Sequence, residues 1–92
     1  VPPQYMGPNA SIENAYINQG CVVDGTVINS VLFTGVKVDK GAVVKDSVLM
    51  PFSHVKSDAF VQRVIVADDV VIGEGAKVGK ESGEIDLISQ NI

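Results

Sequence analysis

Large aliphatic residues recur along this chain at steps of five or six, with a single step of four. That beat constrains the fold more than any other feature of the sequence. The series is Met6, Ile12, Ile17, Val23, Val27, Leu32, Val38, Val44, Leu49, Val55, Val61, Val66, Ile72, Val78. Two positions before each member after Met6 stands a residue no larger than valine: Ala10, Ala15, Cys21, Gly25, Ser30, Val36, Ala42, Ser47, Ser53, Ala59, Val64, Val70, Ala76. A large and a small residue two apart, repeated at this interval, form the imperfect hexapeptide repeat of a parallel β-helix.

From Leu32 onward the steps run six, six, five, so Leu32, Leu49 and Val66 are seventeen apart. Val38, Val55 and Ile72 keep the same period, as do Val44, Val61 and Val78. Three short sides closing on seventeen residues describe one triangular coil. Side chains alternate along a strand, so the large residue and its small partner point to the same face, here inward. Asn14, Asp24, Asn29, Gly35, Gly41, Asp46, Gly73 and Gly75 fall between the sides, where the chain must turn. An amphipathic helix would need apolar steps of three and four, and the abundance of valine favours strands. Coils stacked about 4.8 Å apart make a rod of four to five coils roughly 20 Å tall. Parallel crossovers are normally right-handed; the coils resemble those of hexapeptide-repeat families, which implies the left-handed exception. The expected fold is therefore an all-β, left-handed parallel β-helix.

Ninety-two residues suffice for one small domain, and 46% hydrophobic content without any Trp suits a narrow aliphatic core. No apolar run approaches the length of a membrane span and no signal peptide is visible. The net charge of -4, with acids and bases interspersed, argues against a nucleic-acid partner. Cys21 is the single cysteine and occupies an inward position, the place of an inert buried thiol; a lone cysteine fits a reducing, cytoplasmic setting.

Polar groups that could perform chemistry are few, and no catalytic, cofactor-binding or metal-binding residue is assigned. His54, the only histidine, precedes inward Val55 and so faces outward on a regular side, with no companion acid at a telling spacing. Gly73-Glu74-Gly75-Ala76-Lys77-Val78-Gly79-Lys80 superficially resembles a phosphate-binding loop. It carries Glu74 where that motif needs Gly, and Glu81 where Ser or Thr should bind magnesium. Asn9-Ala10-Ser11 matches a glycosylation sequon without other signs of secretion, and Asp58, Asp68 and Asp69 read as turn residues rather than metal ligands.

The ends of a β-helix leave strand edges that need covering. Residues 1–5 carry two prolines, suit a linker or cap, and suggest a piece of something longer with a missing N-terminal domain. The β-helix is expected over residues 6–79, and residues 80–92, which lose the repeat, form a cap or tail through Ile85, Leu87 and Ile88.

One outer face departs from an ordinary solvated surface. The outward neighbours of Ile17, Leu32, Leu49 and Val66 are Tyr16 and Asn18, Val31 and Phe33, Val48 and Met50, Ile65 and Ala67. The next side is mixed, with Lys37, Asp39, His54 and Lys56 in its middle coils. A long apolar outer wall marks a contact surface. Tyr16, Val31, Phe33, Val48, Met50 and Ile65 are its expected core, packed against another domain or subunit, the chain's own tail being the alternative cover.

Several stretches go beyond a bare repeat: Pro2-Pro3-Gln4-Tyr5-Met6-Gly7-Pro8-Asn9-Ala10, Gly20-Cys21-Val22-Val23-Asp24-Gly25-Thr26-Val27, Asn29-Ser30-Val31-Leu32-Phe33 through Gly35-Val36-Lys37-Val38, and Val44-Lys45-Asp46-Ser47-Val48-Leu49-Met50-Pro51. Together with the four-residue step from Val23 to Val27, they resemble the C-terminal domain of bacterial glucose-1-phosphate adenylyltransferase (ADP-glucose pyrophosphorylase). That family makes ADP-glucose and pyrophosphate from ATP and glucose 1-phosphate on the way to glycogen or starch. The resemblance implies that ATP and Mg belong to an N-terminal catalytic domain, with no cofactor in this stretch. It implies a β-helix that packs on the catalytic domain, helps build a homo- or hetero-tetramer and takes part in control by small-molecule effectors. A related, largely regulatory subunit carries a very similar β-helix. Lys37, Lys40, Lys45 and Arg63 are basic residues that could meet an effector, and none is assigned. The competing readings are a hexapeptide-repeat acyltransferase, disfavoured because every interval is four to six residues and so no loop insertion is expected, and a structural β-helix of another sugar nucleotidyltransferase.

Overall fold

A computed structural model describes residues 5–8, 10–80 and 82–92. Asn9 of the sequon, residues 1–4 of the expected linker and Glu81 lie outside the described residues. The chain winds through short strands, three to a coil. The first coil is β1 (Tyr5–Met6), β2 (Ser11–Glu13) and β3 (Tyr16–Ile17). The second is β4 (Val22–Val23), β5 (Thr26–Ile28) and β6 (Val31–Leu32); the third is β7 (Lys37–Val38), β8 (Val43–Lys45) and β9 (Val48–Leu49). The fourth is β10 (His54–Val55), β11 (Phe60–Gln62) and β12 (Val64–Val66); the last is β13 (Val71–Ile72), β14 (Lys77–Val78) and β15 (Asp86–Ile88). Every third strand stacks, giving three 5-stranded walls: β1-β4-β7-β10-β13, β2-β5-β8-β11-β14 and β3-β6-β9-β12-β15. All pairings are parallel, so the fold is the expected β-helix.

Register follows the sequence beat. Leu32 sits beside Leu49, Val38 beside Val55 and Val44 beside Val61, each seventeen apart. The four-residue step from Val23 to Val27 shortens one coil, so Ser11 pairs with Thr26, Tyr16 with Val31 and Val22 with Lys37 at a spacing of fifteen. Gly25 stands at this shortened corner. A Cβ there would lie 2.5 Å from the Ala42 carbonyl oxygen and 2.7 Å from that of Asp39, so the coils can close over it only because it has none.

Both inward series are buried together. Val23, Val27, Leu32, Val38, Val44, Leu49, Val55, Val61, Val66 and Ile72 are fully enclosed, with Cys21, Val36, Ala42, Ser53 and Val64 among the small partners. Two further small partners, Ser30 and Ser47, are also buried, and their hydroxyls join successive coils. The Ser30 hydroxyl donates to the Ile28 carbonyl (2.7 Å) and accepts from the Ser47 amide (3.1 Å). Ser47 repeats the arrangement with the Lys45 carbonyl (2.8 Å) and the Val64 amide (3.3 Å). A polar atom thus lines an aliphatic core without an unmet hydrogen bond.

The corners are ladders of left-handed residues. Asn14, Asn29, Asp46 and Arg63 stack with φ of 49, 48, 51 and 51°. The Asn14 amide donates to the Asn29 side-chain oxygen at 2.7 Å. A second ladder holds Gly20, Gly35, Phe52 and Asp69 with φ of 74, 71, 64 and 60°. Short polar side chains and glycine tolerate this conformation; a phenylalanine there is strained.

The two ends depart from the expected boundaries. Tyr5, placed in the linker by its prolines, already pairs with Val22. The tail does not lie over an outer face; it continues the rod. Val64, Ile65 and Val66 pair with Asp86, Leu87 and Ile88, and the Gly73 amide donates to the Ile92 carbonyl (2.8 Å) while Ile92 donates back to Val71 (3.0 Å). Val64 and Asp86 are twenty-two apart, so five residues beyond the usual period bulge out at the corner between β14 and β15. Gly79 and Gly83, at φ of 93 and 101°, turn that bulge, and the Arg63 guanidinium donates to the Gly83 carbonyl at 2.6 Å.

Candidate functional site

The third wall carries the apolar face. Its central outer column is Tyr16, Val31, Val48, Ile65 and Leu87, because each is paired with the next through the strand register. Phe33 and Met50 stand two residues on from Val31 and Val48, on the same outer face. The six expected residues are therefore brought onto one surface. Val31, Val48 and Met50 are half-buried by their neighbours, Phe33 and Ile65 are somewhat more exposed, and Tyr16 at the rim is 77% exposed.

Two residues extend this face beyond the expectation. Leu87, assigned to a cap, pairs with Ile65 and continues the column, 67% exposed. Phe52 turns out of the neighbouring corner, 61% exposed, with its ring over Gly35 in the space a Cβ would need. The repeat signals Phe52 only indirectly: it falls seventeen after Gly35, at a position where glycine or a short polar residue would be expected. A strained aromatic side chain held in water is a costly feature that fits a contact surface.

The polar candidates resolve differently. The expectation that His54 lacks a companion acid is corrected: its Nε2 lies 2.8 Å from Asp39 Oδ2. The two residues are fifteen apart in sequence and meet diagonally across β7 and β10, a separation that the outward pattern alone does not advertise. Both are over a quarter exposed on an open wall, so the pair is a surface contact. Asp58 and Asp69 occupy left-handed corners, with φ of 61 and 60°, as turn residues do. The stretch from Gly73 to Lys80 is a coil corner and β14, and the Gly73 amide is taken by Ile92, so those glycines serve the turn. Cys21 is enclosed; its thiol donates to the Phe33 carbonyl at 3.0 Å, and burial raises its pKa above the ordinary 9.0. Among the described residues no group of three His, Cys, Asp or Glu is placed to hold a metal ion. No described helix is long and apolar enough to cross a membrane, which says nothing of a β-barrel. A depression of about 290 Å³ bounded by Leu87 to Ile92 gathers only amide, hydroxyl and aliphatic groups.

The arrangement is an outward apolar face on the third wall. The sequence profile of the family described as GlmU-like, C-terminal hexapeptide matches residues 4–87. The chain belongs to this family. As a member of the GlmU-like C-terminal hexapeptide family, it is 40% identical over 87 residues to a glucose-1-phosphate adenylyltransferase of Bacillus thuringiensis (strain Al Hakam). It is 39% identical over 87 residues to that of Bacillus cytotoxicus and 40% identical over 87 residues to that of Bacillus anthracis. Each match covers 95% of this chain and 23% of the relative, so this hexapeptide domain spans about a quarter of the length of the curated proteins it matches.

Proposed function

We propose that this chain is the β-helix domain of a glucose-1-phosphate adenylyltransferase, serving assembly and allosteric regulation and performing no chemistry itself. The observation that carries the reading is the identity of about 40% over nearly the whole chain to enzymes of that name, each four times longer than the matched stretch. In the parent protein, ADP-glucose and pyrophosphate form from ATP and glucose 1-phosphate in an upstream catalytic domain that supplies the ATP and Mg sites. The parent is cytoplasmic, works as a homo- or hetero-tetramer and answers to small-molecule effectors.

The outer wall supports the assembly part of the reading. Tyr16, Val31, Phe33, Val48, Met50 and Ile65, with Leu87 and Phe52 added, present apolar side chains through successive coils. At about 25 cal/mol per Å² of apolar surface, covering such a face stabilises a contact by several kcal/mol before the costs of association. Phe33 and Met50, beside the central column in the middle coils, are of residue types enriched at contact surfaces.

The test is pyrophosphate release by the full-length parent from ATP and glucose 1-phosphate, with other sugar phosphates as controls. Turnover confined to the glucose 1-phosphate pair is expected. Turnover with a different sugar phosphate would replace the substrate assignment. No turnover with any of them would leave the related regulatory subunit, or end the assignment if no nucleotidyltransferase domain lies upstream.

A further inference from the structure

Residues 82–92 differ from the rod they close in burial, in hinging and in how they are fastened. Among them only Ile88 is even half-buried, and the others are exposed. Each strand from β4 to β13, by contrast, carries a fully enclosed inward residue. The segment is held mainly by hydrogen bonds at its edge. The Ile88 and Ile92 carbonyls accept from the amides of Ala67 and Gly73, both at 2.8 Å, and the Ile92 amide donates to Val71 at 3.0 Å. The Asn91 side-chain oxygen accepts from the Val71 amide at 2.8 Å. Exposed bonds of this kind exchange for water at small net cost, and segments with little apolar burial open first.

The bulge that leads into this segment has one fixed end and one free end. At Gly79 a Cβ would overlap the Gln62 carbonyl, so the backbone there is packed against the end of β11. At Gly83, with φ of 101°, a Cβ would meet nothing within 4 Å. A glycine in open space can turn where a pinned one cannot. The fastening falls on that free glycine. Arg63 occupies the corner ladder where Asn14, Asn29 and Asp46 serve the earlier coils, and a turn there has no need of a long side chain. Its guanidinium donates to the Gly83 carbonyl at 2.6 Å. Its Nε is enclosed with no hydrogen-bond partner among the described residues, an unmet donor that lessens the gain from fastening.

We propose that residues 82–92 form a hinged strap that opens as a unit while the coils behind it stay folded, with Gly83 as its pivot and Arg63 as its clasp. Closed, the strap sets Ile88 beside Val66, and the two bonds of Ile92 place it beside Ile72, so the last core layer is covered. Closed, it also carries Leu87 beside Ile65, and the outer apolar face reaches its full length only in this state. Opening withdraws Leu87 from that face and bares the edge of β12. The strap thereby couples the foot of the rod to the outer wall: whatever covers Leu87 in the closed state favours closure by the same free energy.

Hydrogen exchange of the full-length parent, read at single amides by mass spectrometry, tests the proposal. The amides of Ala67, Gly73 and Ile92 depend on the strap, whereas those of Met50 and Lys56, bonded to the Val66 and Ile72 carbonyls, report the coils behind it. The strap amides are expected to exchange roughly a hundredfold faster than the two references, as local opening well below global unfolding requires. Arg63→Gln should speed the strap amides by about tenfold, through loss of one charge-assisted hydrogen bond, and leave the references unchanged. Gly83→Ala strains the pivot without touching the guanidinium and should act in the same direction, which covers the case of an Arg63 variant that fails to fold. Strap amides as slow as the references would overturn the proposal. Variants that speed both sets alike would overturn it too, because that marks a general loss of stability, as would variants that speed neither. Exchange rates do not depend on which sugar phosphate the parent uses, so the substrate reading and the strap stand or fall separately.

Discussion

Replacing Gly25 with alanine tests the coil geometry at its tightest point. Gly25 has no positive φ that would penalise a side chain, so the expected cost is one of space. The added Cβ would lie 2.5 Å from the Ala42 carbonyl oxygen, 2.7 Å from the Asp39 oxygen and 3.1 Å from a Val38 methyl, where ordinary contact begins at 3.4 Å. The Ala42 carbonyl must therefore retreat by about 0.9 Å, the difference between 3.4 and 2.5 Å. That oxygen accepts the Thr26 amide at 2.9 Å, and Asp39 accepts the Ala42 amide at 3.1 Å. Moving the first stretches a coil-to-coil hydrogen bond past its useful range, and moving the second stretches the turn bond within the third coil. Overpacking costs about 1–3 kcal/mol and a weakened hydrogen bond about 0.5–1.5 kcal/mol, so Gly25→Ala should lose about 2–4 kcal/mol. For a domain of this size that lowers Tm by roughly 10–25 °C. Urea unfolding followed by circular dichroism measures the loss, with Gly75→Ala for comparison. Gly75 has φ of 71° and open space around its missing Cβ, so it should cost only the backbone strain of about 1–2 kcal/mol. A Gly25→Ala variant within about 0.5 kcal/mol of the parent domain, the ordinary range of a neutral surface change, would refute the reasoning.

Other expectations follow from single contacts. Ser30→Ala removes the acceptor of the buried Ser47 amide and should cost about 1–3 kcal/mol in the same unfolding assay. Burial holds the Cys21 thiol above its ordinary 9.0, so the folded chain keeps a proton that the unfolded chain releases. The unfolded state then binds fewer protons, and stability should fall as pH rises past 9.0, a slope that Cys21→Ala flattens when urea midpoints are compared at pH 8 and pH 10, values set around that 9.0. Asp39 and His54 meet on an open wall, so a double-mutant cycle of Asp39→Asn and His54→Gln should return a coupling below about 1 kcal/mol.

The inward face of the rod was legible because two constraints act on every coil at once. A large residue must fill the prism and its partner must be small enough to let the walls close, so in the enclosed coils an exchange in either series tends to leave a cavity or a clash. The corner residues Asn14, Asn29 and Asp46 were legible for a similar reason, since few side chains tolerate left-handed φ. The outward apolar face was legible from alternation alone. Phe52 escaped because a bulky residue at a left-handed corner contradicts the rule that identifies corners. The tail escaped because the five extra residues of the bulge put Leu87 and Ile88 out of phase with seventeen, although their pairing restores the same inward and outward alternation. The His54–Asp39 pair depends on a diagonal reach between coils that no spacing rule encodes.

We propose that the outer wall is a contact surface, and its most direct test is the assembly state of the full-length parent carrying Phe33→Asp together with Met50→Asp, by sedimentation velocity. Both side chains point away from the core, so the β-helix should keep its thermal transition while the assembly falls apart into smaller species. Assembly unchanged from wild type, with the β-helix folded, would contradict the claim.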